Sequence, residues 1–179
     1  MILTDTPEQT RIDRRYKQVM DDELELMGAY VAGVIDATGS ISVQVKKDSS
    51  RLVGYAIVPT IQIKKNDPRI IHVLDNWAQE HDVFASIRET DTTTTFIITK
   101  REDLETFLRS VRPFVIVKSD PIEITLHEIL PRLDDGAAST KEGFVELMKY
   151  VDMVRDQSGP SSRHKYDKSY FEEEWAAEI

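Results

Sequence analysis

Between Gly28 and Ser42 the sequence GAYVAGVIDATGSIS switches period, and that switch constrains the fold more than any other feature. Gly28, Ala32 and Asp36 recur every four residues, and so do Ala29, Gly33 and Ala37. On a helix the two series form adjacent lines of small residues. Such a stripe lets a second backbone approach closely. Leu24, Met27, Tyr30, Val31, Val34 and Ile35 supply bulk around it. Gly39 stands where a helix C-cap calls for a left-handed residue, and from Ser40 the pattern alternates as a strand does. A helix ends and a strand begins within a few residues.

The rest of the chain follows in short elements. Residues 1–21 carry Arg11, Arg14, Arg15 and Lys17 among acids and read as an N-terminal arm, with Asp21 and Asp22 capping the motif helix. Ser40–Lys47 and Leu52–Lys64 alternate as strands around a polar turn, with Pro59 marking a bulge or an unpaired position. Asn66-Asp67-Pro68 opens a helix that runs to about Gln79. Val83–Arg88 and Thr93–Thr99 form a hairpin, and Arg101–Val111 a helix that stops before Pro113. Further helices start at Ser119 and near Thr140. The composition shifts after Gln157, so residues 158–179 read as an acidic C-terminal tail, whose Tyr170, Phe171 and Trp175 could form one apolar edge. The expected class is α/β (α+β), with a four-stranded antiparallel sheet and helices on one face.

That order places Ser42, Gln44, Lys46, Thr60, Gln62, Lys64, Ser86, Arg88 and Thr95 together on the sheet's other face. Glutamine and arginine are the side chains that read adenine and guanine edges in a major groove, which a β-ribbon can enter. Gln44, Gln62 and Arg88 are candidates for readout, and Lys46, Arg51 and Lys64 for phosphate contacts. An antiparallel sheet also commonly leaves one face to water, so the pattern alone leaves both readings open.

The chain has no cysteine, which excludes disulfides and Cys-based zinc sites. Its four histidines show no ligand spacing, and no metal is assigned. No signal-peptide pattern or apolar run near 20 residues occurs, so the expected location is cytoplasmic and no membrane partner is expected. The net charge of −9 opposes nucleic-acid binding until it is mapped. Residues 39–119 hold 12 Lys and Arg against 10 Asp and Glu, while the remainder holds 11 against 22. The acid lies outside the segment that would meet DNA.

Val31-Ala32-Gly33-Val34-Ile35-Asp36-Ala37-Thr38-Gly39 resembles the LAGLIDADG motif of homing endonucleases. It differs at two aliphatic positions and at Thr38, where the motif has Asp. Arg112-Pro113-Phe114-Val115-Ile116-Val117-Lys118 resembles the downstream PF-x-x-x-K segment, and the likeness covers residues 22–155. With one motif copy, the resemblance is to the single-motif, homodimeric branch. It implies a saddle-like sheet and a domain over 22–157. It places the motif helix, with Gly28, Ala29, Ala32, Gly33, Asp36 and Ala37, at a homodimer interface. It also implies double-stranded DNA with a long, near-palindromic site as the partner. Family chemistry is Mg²⁺-dependent phosphodiester hydrolysis at the ends of two motif helices. By resemblance Lys65, Arg69 and Lys118 form the basic surroundings of that site, and Thr38 occupies the place of the metal-binding acid. Asp36, two residues earlier on the helix, points to another side and is expected to cap or orient locally. The expectation is a DNA binder that cuts weakly or not at all, with Mg²⁺ needed only if cleavage is retained. The alternatives are an active Mg²⁺-dependent homing endonuclease and an RNA-binding intron-splicing helper or structural RNA partner.

Overall fold

A computed structural model describes residues 7–157 and 164–177, with side chains from residue 22 onward. The linker expected after Gln157 and the side chains of Arg11, Arg14, Arg15 and Lys17 lie outside the described residues. Helix α1 spans Pro7–Thr38, about 48 Å at 1.5 Å per residue. It passes through Asp21 and Asp22 without a break, so those residues are interior to the helix and not its cap.

Strand β1 (Gly39–Lys47) begins at the residue after α1. Gly39 is not left-handed, because it is already extended and paired with Ile63. Glycine is needed there for another reason: a Cβ would lie 2.7 Å from the Ile35 carbonyl oxygen. Strand β2 (Tyr55–Lys65) starts later than expected, after a turn held by Asp48 and closed by Gly54 at φ +78°. Pro59 causes no bulge; it pairs in register with Val43. Pairing on the β4 side ends at Ile61, which leaves β2 a free edge beyond that point, where a missing N–H costs little.

Pro68 occupies the first turn of α2 (Pro68–Glu80), and the Asp67 side chain accepts the Arg69 N–H as its cap. Strands β3 (Ser86–Glu89) and β4 (Thr94–Ile98) are shorter than their expected spans, and α3 covers Arg101–Val111 as expected. Next come α4 (Ser119–Ile124), a π-helical turn at Thr125–Ile129, and α5 (Leu130–Asp134). Pro131 lacks an N–H, and the Leu130 N–H reaches back to the Thr125 carbonyl. The chain closes with α6 (Lys141–Asp156) and α7 (Lys168–Glu174).

The four strands form one antiparallel sheet in the order β1-β2-β4-β3. Its covered face joins Ile41, Ile61, Ile63, Phe96 and Ile98 to Val31, Ala32 and Ile35 of α1 and to the apolar sides of α2 and α3. A second cluster lies at the far end of β1 and β2 and unites Tyr55 and Ile57 with Phe144, Met148, Phe171 and Trp175. Residues 168–175 are therefore not a free tail. The Phe171 ring lies 4.9 Å from those of Tyr55 and Phe144, and its side chain is fully buried. Among the described residues no helix is long and apolar enough to cross a membrane.

Candidate nucleic-acid interface

Strand register brings the predicted readout residues together. Ser42 faces Thr60, Gln62 faces Ile97, Ile97 faces Ser86, and Lys64 faces Thr95, which faces Arg88. Side chains alternate across a strand, so these share the open face with Gln44 and Lys46. That face carries three basic residues, Lys46, Lys64 and Arg88, and no acidic one. Among the described residues no carboxylate pairs with any of the three. A chain of net charge −9 thus keeps one surface locally positive.

Members of the face differ in reach. Gln44, Lys46, Gln62, Lys64, Ser86 and Arg88 are exposed, and Ser42 is half-buried. Thr60 and Thr95 are on the right side but only 5% and 8% exposed, so they form a floor between longer neighbours rather than contacts. Arg51 sits in the β1–β2 turn, where its guanidinium is 3.4 Å from the Asp48 carboxylate. Hydrogen bonds from Ser50 and that guanidinium hold Asp48 below the usual carboxylate range.

One part of this surface gave no sequence signal. A groove of about 560 Å³ runs along the outer edge of β1, between Ser42, Gln44 and Lys46 and the segment His164–Tyr166. Arg155 builds it. Its Nε donates to the Val43 carbonyl of the edge strand (3.2 Å), and its Nη1 to the Tyr166 carbonyl (2.6 Å). The Asp152 carboxylate accepts from Arg155 and from the Lys168 N–H. Burial pushes the Asp152 carboxyl up and the Arg155 guanidinium down from their ordinary values. The clamp brings Lys165 beside the open face.

The end of α1 is organised by Asp36. Its carboxylate accepts the Ile116 N–H (2.9 Å) and the Lys118 N–H (2.8 Å), fastening residues 116–118 to the helix. Gly28 is buried about two turns earlier along the same side, where an added Cβ would lie 2.5 Å from the Phe114 ring. Ala32 is fully buried as well. This corrects the expectation that both small-residue lines await a partner helix: Gly28 and Asp36 serve the chain's own Phe114–Lys118 segment, and Ala32 between them is buried in the core. Ala29, Gly33 and Ala37 stay exposed, and nothing lies within 4 Å of a Cβ built on Gly33.

Lys118 is brought to the α1 end by the Asp36 contact. Lys65 lies two residues past the Gly39–Ile63 pair, on the helix side of the sheet. Arg69 is otherwise engaged, with its guanidinium 2.6 Å from Asp67 at the start of α2. Thr38 donates its hydroxyl to the Val34 carbonyl of its own helix at 2.9 Å. The donor set does not suit Mg²⁺, which takes carboxylate oxygens together with phosphate and water. Position 38 offers a neutral hydroxyl, and the nearby Asp36 carboxylate is occupied by two N–H groups.

No family model matches the chain. It is 26% identical over 125 residues to the DNA endonuclease I-CreI of Chlamydomonas reinhardtii, covering 70% of this chain and 74% of that protein. Its structure is similar to the homing endonuclease I-CvuI in complex with the I-CreI target. The TM-score is 0.76 at 17% identity, with 87% of this chain and 96% of that one covered. An archaeal intron-encoded homing endonuclease, I-Vdi141I, complexed with DNA, gives 0.69 at 22% identity over 86% and 98% of the two chains. The I-LtrWI LAGLIDADG homing endonuclease bound to target DNA gives 0.59 at 18% identity, with 71% of this chain matching 44% of that longer one.

Proposed function

We propose that this chain is a single-motif member of the LAGLIDADG homing endonuclease family, and that it binds a long, near-palindromic DNA duplex as a homodimer with cleavage weak or lost. The observation that carries the reading is the contrast between two ends of one scaffold. The sheet face keeps Gln44, Gln62, Arg88, Lys46 and Lys64 exposed and free of acids. The α1 end has Thr38 bonded to its own helix and Asp36 spent on the 116–118 backbone.

A second copy fits the open side of α1. Leu26 is 73% exposed, and Ile116 and Val117 are 80% and 70% exposed beside the bare Ala29, Gly33 and Ala37 line. A contiguous apolar patch next to small residues is the kind of surface another chain covers. Two-fold pairing there would set two sheets side by side and give the site its near-palindromic form.

The test is selection from a random duplex pool, with and without Mg²⁺, followed by sequencing of bound molecules and inspection for cuts. A recovered inverted repeat, left intact in both arms, is the expected result. Binding should weaken steeply with salt, since each phosphate contact releases counterions. Recovery of cut duplex would favour a working nuclease, and preference for structured RNA over the selected duplex would favour the splicing role; either outcome overturns the proposal.

A further inference from the structure

Along the open face of the sheet the polar alternation breaks at aliphatic residues, and two of the breaks stand opposite glutamines. Gln44 faces Val58, and Gln62 faces Ile97. Both glutamines are exposed, and both aliphatic residues keep part of their surface open. Directly opposed residues hold their Cβ atoms about 5 Å apart. Each pair therefore presents a carboxamide and a branched hydrocarbon side by side.

In the major groove an A·T pair shows adenine N7 and N6 on one base and the C5 methyl group on the other. Glutamine meets the adenine edge with two hydrogen bonds, and an apolar side chain meets the methyl. We infer that Val58 and Ile97 are specificity-determining residues, each packing on a thymine methyl beside an adenine read by its glutamine partner. Every half-site then contains two positions where adenine and thymine are recognised together. The inference rests on the DNA-binding reading and adds to it the class of base that the sheet prefers.

The test uses the duplex recovered by selection, with its thymines replaced one at a time by deoxyuridine, which removes the C5 methyl and nothing else. Two positions in each half-site should lose about fourfold in affinity, the worth of one methyl-sized group removed from water, and the other positions should not change. Ile97→Ala should erase the uracil effect at one of these positions and keep it at the other, and Val58→Ala the reverse. Should either variant melt early, the scan on the unmodified protein still decides. Affinity indifferent to uracil at every thymine, or an effect that survives in both folded variants, overturns the inference and leaves DNA binding intact. A protein that enriches no duplex above the random pool removes the binding reading itself, and this inference with it.

Discussion

Two residues two places apart, Asp36 and Thr38, divide the work at the end of α1. Asp36 gives its charge to backbone N–H groups 80 and 82 residues away. Thr38 gives its proton to the carbonyl four residues back. A carboxylate at position 38 would sit at the negative end of the helix dipole and, in a two-fold dimer, close to its own copy. Thr38→Asp is therefore expected to lower the melting temperature in chelator by about 2–4 °C, corresponding to about 1 kcal/mol. Mg²⁺ should restore much of that loss by binding only the folded dimer, whereas the unmodified protein should melt alike in both. Melting curves of the two proteins with EDTA and with Mg²⁺ decide it, and a Thr38→Asp protein blind to the ion would contradict the assignment of this position. A separate residue-scale test concerns Asp67, whose carboxyl is held down to about 2 from 3.8 by the Arg69 guanidinium and N–H. A depressed carboxyl contributes stability above its unfolded value and loses that contribution as pH falls through about 2. Carbon-detected titration should find that midpoint, and Arg69→Ala should move it back toward the ordinary range.

At the scale of elements, α1 packs one line of small residues inside the protomer and leaves the other bare. Gly28→Ala should cost the protomer about 1–3 kcal/mol by overpacking the Phe114 ring. Gly33→Leu should leave the folded chain as stable as before and weaken its self-association. Denaturant unfolding and sedimentation velocity on both variants separate the two roles; a dimeric Gly33→Leu protein would place the interface elsewhere. Helix α7 offers a similar contrast. Its Phe171 is buried among Tyr55, Phe144 and Trp175, so Phe171→Ala should cost about 3–5 kcal/mol. A loss below about 1 kcal/mol would return α7 to the status of an appended tail.

For the whole molecule, what the sequence made legible was local. Pro68 after Asp67, Thr140 before Lys141 and the alternation in β1 and β2 each announce an element through its own first residues. The shared open face followed because a period of two cannot be misassigned over nine or eleven residues. What stayed hidden depends on contacts distant in sequence. Nothing near Gly28 announces Phe114, and nothing near Asp36 announces the Ile116 and Lys118 amides. Arg155 reads as one charge on an amphipathic helix until β1 exposes the Val43 carbonyl to it. Periodicity and caps give the order of elements but not these packings, and a small-residue line reads the same whether its partner is another chain or a distant segment of its own.

In the function proposed above this scaffold keeps its grip on DNA while Thr38 stands where the motif has its metal-holding acid. One electrophoretic measurement tests it: the selected duplex, end-labelled and incubated with the protein in Mg²⁺, run native in one lane and denatured in the next. A retarded complex at a mass of two chains per duplex is expected in the first lane, and full-length strands in the second. Strands shortened at a defined position in the denatured lane would contradict it.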